Sequence, residues 1–327
     1  MEALNFKKIC QDLISDLSAR QKEIILRRFA LKKGAFKRET LESIGKDFGI
    51  TRERVRQIQE DAFLKMRRKI RKYKKVFSNF ERYFQKRGGI RREDILLEEL
   101  GKGKWQKEVF FLLTLAGKFK RYPEKRENFC FWAIDENSVS KMKRAVESIV
   151  SRLEEIGKPV FLKDLNFLSL KKPVFESYLQ ITKRIQKNKE GFYGLREWPE
   201  INPRGIRDKA YLVLRKIKKP LHFTEITKLI EGAHLQTVHN ELIRDERFVL
   251  VGRGIYALRE WGFEPGFVKD LIIKILKEKG PLPKEKILKN VLKQRMVKEN
   301  TILLNLANKK YFLRDSKGRY YLKPGLI

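Results

Sequence analysis

Four short aromatic segments return along this chain at an almost constant interval, and that interval decides which architectures are open to it. NFCFWAID from Asn128, GFYGLREW from Gly191, GIYALREW from Gly254 and GRYYLKPG from Gly318 start 63, 63 and 64 residues apart. A second landmark keeps the same order: GGIRREDI from Gly88, KPVFLKDL from Lys158, KPLHFTEI from Lys219 and GPLPKEKI from Gly280. The last three of these start 61 residues apart, and the first unit is longer. Two landmarks sharing one period mean one supersecondary unit repeated in tandem. The third unit shows its order best. RDKAYLVLRKI reads as a helix, Pro220-Leu221-His222 as an extended link, FTEITKLIEG and LQTVHNELIRD as two more helices, and RFVLVGRGIYAL as a hairpin turning at Gly252 to Gly254.

Three helices closed by a hairpin describe a winged helix. The expected fold is therefore mainly α with small β-hairpin wings: four tandem winged helices behind an N-terminal helix-turn-helix domain. The boundaries are 1–78, 79–139 (divergent), 140–202, 203–263 and 264–327. The other three hairpins turn around RYPEKREN, QKNKEG and RDSKG, so all four turns carry basic residues. Phe192, Tyr193, Tyr256, Trp198 and Trp261 read as packing between units rather than as base-stacking groups. A second DNA contact is assigned to the third unit, through Gln236, Thr237, His239, Asn240 and Arg244 of its third helix and Arg253 of its turn. The matching helix of the last unit, NTILLNLANKK, offers only Asn300, Asn305 and Asn308, which suits capping the array or meeting a protein.

The N-terminal domain rests on TLESIGKDFGITRERVRQIQE, Thr40 to Glu60. Leu41, Ile44 and Phe48 recur at helical spacing, Gly49 permits a turn, and Thr51 is placed to cap a second helix. In that helix Val55, Ile58 and Ala62 share one face, leaving Arg52, Glu53, Arg56, Gln57 and Glu60 on the other. Those side chains suit base edges: Arg pairs with guanine, Gln with adenine, and Glu accepts from cytosine, each discriminating by about 1–3 kcal/mol.

Composition narrows the partners. Lys+Arg 76 against Asp+Glu 41 leaves a net charge of +35, which favours a polyanion. The longest apolar stretch, Val109 to Gly117, is about half the length needed to span a bilayer, so a membrane is not expected. The N-terminus places Leu4, Ile9, Leu13, Ile14 and Leu17 at helical spacing and reads as a folded helix rather than a signal peptide. Cys10 and Cys130 suggest neither a disulfide framework nor a zinc site, and the setting expected is the cytoplasm, on the nucleoid. His222, His234 and His239 are too few for much acid-base or metal chemistry. Neither a phosphate-cradling glycine loop nor a nucleophile elbow is present, so no enzyme, cofactor, metal or small-molecule ligand is expected.

TLESIGKDFGITRERVRQIQEDAFLKMRRKI, Thr40 to Ile70, resembles region four of the bacterial RNA polymerase sigma factors, and LSARQKEIILRRF, Leu17 to Phe29, is similar to that family's preceding helix. The resemblance implies binding to the minus 35 promoter hexamer, with Arg52, Glu53 and Gln57 at base-reading positions and Arg54 and Arg56 at flanking ones. It further implies that Arg20, Arg28, Thr40, Leu41 and Lys46 hold phosphates, and that the apolar side of the first helices docks on a polymerase flap. The basic run Lys65 to Lys75 is expected to continue along the duplex or to form a solvated linker helix. Gln59 and Asp61 depart from the family, which more often has Glu and Lys there, and the loop Ala30 to Glu39 is slightly longer. The family's promoter-melting segment has no counterpart before residue 17, so opening promoters alone is not expected. The third unit, Pro203 to Gly262, resembles the HARE-type helix-turn-helix domain of the RNA polymerase delta subunit and of some restriction endonuclease proteins; the second and fourth units share its outline more weakly.

These readings converge on a sigma-like transcription regulator that binds promoter-like double-stranded DNA and RNA polymerase. A non-specific architectural protein of the nucleoid and the DNA-recognition part of a restriction system are the alternatives.

Overall fold

The computed structural model describes residues 5–324 except positions 33, 36, 166 and 167, so Leu4 and two positions of the Ala30 to Glu39 loop lie outside the described residues. The chain forms two compact units, Met1–Glu197 and Trp198–Ile327. As expected, it is mainly helical with small antiparallel sheets.

The first unit begins with four helices: α1 (Phe6–Ile14), α2 (Ala19–Arg28), α3 (Leu41–Asp47) and α4 (Arg52–Lys69). Each starts where a side chain satisfies free backbone N–H groups. Asn5 accepts from Lys8 N at 3.1 Å, and Ser18 forms a reciprocal capping box with Gln21. Thr40 and Thr51 accept from Ser43 N and Arg54 N at 3.0 and 3.2 Å. A 3-10 turn (Ile70–Tyr73) then leads into α5 (Lys74–Gln85), β1 (Ile90–Arg92), α6 (Glu93–Gly101), α7 (Gln106–Ala116), β2 (Lys120–Tyr122) and β3 (Phe131–Ala133). The sheet order is β1-β3-β2, all antiparallel.

One hydrophobic core runs through these helices except α3 and reaches Trp132 of β3. Phe6, Ile9, Leu13 and Ile14 of α1, Ile25 with Phe29 at the end of α2, and Ala62, Phe63 and Met66 of α4 bury together with Phe80 and Phe84 of α5 and Val109, Phe111 and Leu112 of α7. Phe111 is the hub: its ring lies 5.1 Å from Phe29, edge-on, and 6.5 Å from Phe63. Residue 78, taken from sequence as the end of the first domain, lies within α5, whose Val76, Phe77, Phe80 and Phe84 all belong to this core. The helix-turn-helix therefore shares its interior with the first repeat.

After α8 (Glu136–Ile156) the order of elements returns: a bridge at Val160, α9 (Leu162–Leu165), α10 (Lys172–Ile181), β4 (Ile185–Lys187) and β5 (Tyr193–Leu195). Ser177 of α10 donates 2.6 Å to the Ile90 carbonyl, joining the two repeats.

In the second unit the same order occurs twice. The third repeat comprises α11 (Gly205–Ile217), β6 (Leu221–His222), α12 (Phe223–Lys228), α13 (Leu235–Arg244), β7 (Phe248–Gly252) and β8 (Ile255–Leu258), in sheet order β6-β8-β7. The fourth comprises α14 (Val268–Lys279), β9 (Leu282–Pro283), α15 (Lys284–Leu292), α16 (Glu299–Leu306), β10 (Phe312–Arg314) and β11 (Arg319–Leu322), in sheet order β9-β11-β10. Each has its own core, around Leu214, Ile226 and Val238 in one and Ile272, Ile287 and Ile302 in the other. They meet where Met296 N donates 2.6 Å to the Val251 carbonyl and Gln294 donates 2.9 Å to the Gly262 carbonyl.

Removing the Phe111 ring leaves a cavity at the shared core. Phe111→Ala is expected to cost about 3–5 kcal/mol and to lower the melting of α1–α4 and α5–α7 together, followed by hydrogen exchange. Loss of stability in α5–α7 alone would contradict a common interior.

Candidate nucleic-acid interface

The geometry of the helix-turn-helix follows from two glycines. Gly49, at φ 62°, makes the turn after α3. Gly45 is buried, and a Cβ there would stand 2.6 Å from the Ile50 carbonyl oxygen, so only glycine lets the entry to α4 lie against α3. The two helices close over Ile24, Ile44, Val55 and Ile58, with Leu41, Phe48 and Ile50 packed around them. Of the inward set read from the sequence, Ile44, Val55, Ile58 and Ala62 are buried and Leu41 and Phe48 are half-buried.

Arg52, Glu53, Arg54, Arg56 and Gln57 are all exposed over the first turns of α4. They engage one another rather than the protein body. Arg56 grips the Glu53 carboxylate with Nε at 3.0 Å and Nη2 at 2.8 Å, and Arg54 donates 3.1 Å to Gln57. The Arg56 guanidinium holds the Glu53 carboxyl below the ordinary carboxylate range, so Glu53 presents an acceptor at neutral pH. Exposed pairs of this kind are weak and exchange readily for base contacts.

The residues assigned to phosphates fall into two sets. Arg20, Thr40 and Lys46 are exposed, with Arg20 lying 5.7 Å over the Phe48 ring; Leu41 is half-buried against the helix-turn-helix core. Arg28 is drawn inward, and its Nη1 donates 2.6 Å to the Glu39 carbonyl. The intervening Arg27 binds the Glu39 carboxylate and Asp47, tying the loop to α3. Part of the basic run from Lys65 is spent inside the fold. Arg67 donates 2.9 Å to the Leu115 carbonyl and Lys69 pairs with Asp16 at 2.5 Å; Lys72, paired with Asp12 at 3.2 Å, is exposed, as are Lys65, Arg68, Arg71, Lys74 and Lys75.

In the third repeat Gln236, Thr237, Asn240, Arg244 and Arg253 are exposed, and Gln236 donates to Asn240 at 3.2 Å. His239 differs. Its half-buried ring lies tilted 4.6 Å from Phe223 and meets Tyr256 edge-on, which makes it part of the packing between α13 and the sheet. His222 caps α12, and His234 starts α13 from an exposed position. Cys10 and Cys130 are free, and burial pushes both thiols up, Cys130 to about 11. Among the described residues no His, Cys, Asp and Glu group could hold a metal, and no helix is long and apolar enough to cross a membrane.

This geometry has a counterpart among known proteins. Residues 13–68 match the family Sigma-70, region 4. The N-terminal segment is a sigma-70 region 4 domain, a DNA-binding helix-turn-helix. A relative with this segment is the RNA polymerase sigma factor SigA of Bacillus sp, 41% identical over 61 residues, which are 19% of this chain and 16% of that protein. The likeness thus covers the helix-turn-helix and a small part of either chain.

Sequence reasoning missed Gly45, Arg38 and Arg121. The close approach at Gly45 shows only once α3 and α4 are docked, and the two arginines reach the domain from a loop and from β2. The expected effect of Gly45→Ala is to push α4 off α3 and weaken duplex binding about tenfold or more, with far-UV helicity retained. Thr51→Ala is expected to cost about 1 kcal/mol of stability by unfolding titration. Unchanged affinity in Gly45→Ala would contradict the close approach.

Proposed function

We propose that this chain is a non-catalytic, sigma-like transcription regulator of the cytoplasm that reads a minus 35-like promoter element in duplex DNA. The observation that carries this reading is the exposed set Arg52, Glu53, Arg56 and Gln57 on one face of α4, capped by Thr51 and backed by a buried core. Arg52, Glu53 and Gln57 touch base edges, with Arg56 beside them and Arg54 at the flank. Arg20, Lys46 and the N-terminus of α3 at Thr40 and Leu41 hold phosphates, which fix register without carrying sequence information.

RNA polymerase is the protein partner we infer. The apolar side of α1 and α2 is filled by α5 and α7, so the contact falls to the repeats rather than to that side. The four repeats are read as tandem winged helices, the third of HARE type, because in each the link before the second helix pairs with the last hairpin strand. Gln236, Asn240, Arg244 and Arg253 supply a second DNA contact there. The net charge of +35 favours one competing reading, a non-specific architectural protein.

A binding selection from a duplex library separates the two. Arg52→Ala and Gln57→Ala are each expected to lose about 1–3 kcal/mol of discrimination at one or two positions while salt-sensitive affinity for random DNA persists. Uniform weakening across all sequences would favour the architectural reading.

A further inference from the structure

Where α2 and α4 meet the first repeat lies a half-open cavity of about 850 Å³ whose lining includes Arg28, Arg38, Gln59, Lys120 and Arg121, with Phe110 in its wall. Five separate segments supply these side chains. The Arg38 guanidinium lies 3.7 Å from the Phe110 ring centre, which fixes its plane. Glu93 binds Arg121 at 2.5 and 2.8 Å and reaches Arg38 only at 4.0 Å, while Asp135 and Glu136 also line the cavity and Glu136 pairs with Lys120 at 2.5 Å. With Arg28, Arg38, Lys118, Lys120 and Arg121 present, the cations still outnumber the carboxylates. Arg28 feels the excess: burial holds its guanidinium below the ordinary value, and Arg38, Arg121 and Arg52 push the same way. The Gln59 Oε1 is buried without a hydrogen-bond partner; turning the amide over would offer its Nε2 as a donor instead.

Surplus forked donors beside a neutral amide donor are the chemistry that takes a phosphate oxyanion. Gln59 lies about two turns past Arg52 on the same face of α4, so the cavity adjoins the reading face. We propose that this cavity seats a backbone phosphate of the bound duplex beyond the read bases, with Arg121 of β2 and Lys120, which exchanges its exposed Glu136 partner for the strand, as a second grip. The choice of DNA as the source of that phosphate rests on the proposed function; a free nucleotide would bring the same chemistry.

The test uses the full chain and the single variants Lys120→Gln and Arg121→Gln, with a duplex of preferred sequence, a scrambled duplex and adenosine triphosphate as probes. Lys120 is exposed, and its replacement is expected to leave the melting temperature unchanged, which separates lost contact from lost folding. On both duplexes the slope of log affinity against log salt is expected to fall by about 0.9 per variant, with the preference for one sequence retained. A slope effect without sequence preference in the unaltered chain would keep the phosphate seat and reject promoter reading. Unchanged slopes with nucleotide binding that the variants abolish would keep the seat and make the nucleotide its ligand. Unchanged slopes with no variant-sensitive nucleotide binding would overturn the proposal.

Discussion

The edge-on contact between Phe29 of α2 and Phe111 of α7 carries the rest of the arrangement. It joins a helix of the DNA-binding domain to a helix of the first repeat inside one dry core, where Phe63 of α4 packs on the same ring. Aromatic pairs of this kind add about 0.5–1.5 kcal/mol beyond the area they bury. The larger consequence is geometric. α4 is held from its middle by the repeat, through Ala62, Phe63 and Met66, and from its start by the helix-turn-helix core, through Val55 and Ile58. Its first two turns project with their polar face free.

That support changes what the surrounding charges do. In a chain with a charge of +35 an unbound reading face full of arginine would repel itself, yet Arg56 lies on Glu53 and Arg54 on Gln57. Further back, Asp12 and Asp16 take up Lys72 and Lys69, and Glu39 with Asp47 takes up Arg27. Acidic residues are spent where the fold needs basic ones held still. Around Arg28 the neighbouring Arg38 and Arg121 outweigh the acidic groups beside them, and this adds positive potential next to the reading helix.

Much of this was legible in the chain itself. The apolar steps Leu41, Ile44 and Phe48, then Val55, Ile58 and Ala62, mark the inward sides of α3 and α4 because a helical period leaves a local record. The repeat interval likewise marks the recurring order of helices and hairpins. The shared core was not legible: α1 is apolar on one side and α7 nearly all round, but nothing local says that they face each other across about a hundred residues. His239 was read as a polar groove residue and instead packs against Phe223, since its spacing suits either side of α13. Arg28 was read as a surface cation because helical spacing matches it to Arg20; its inward turn depends on the Glu39 carbonyl, which a loop delivers. Arg121 was read only as a basic residue of the turn RYPEKREN; it lies in β2 instead, held by Glu93.

The central claim is that α4, braced by the first repeat, is the surface that meets DNA. Hydrogen exchange of the full chain, measured with and without a duplex selected for tight binding, tests it directly. The account predicts new protection in peptides covering residues 40–60 and at residues 118–122, over a core of α1, α4, α5 and α7 that opens as one unit in either state. Protection confined to the repeats after residue 140, with none over residues 40–60, would contradict it.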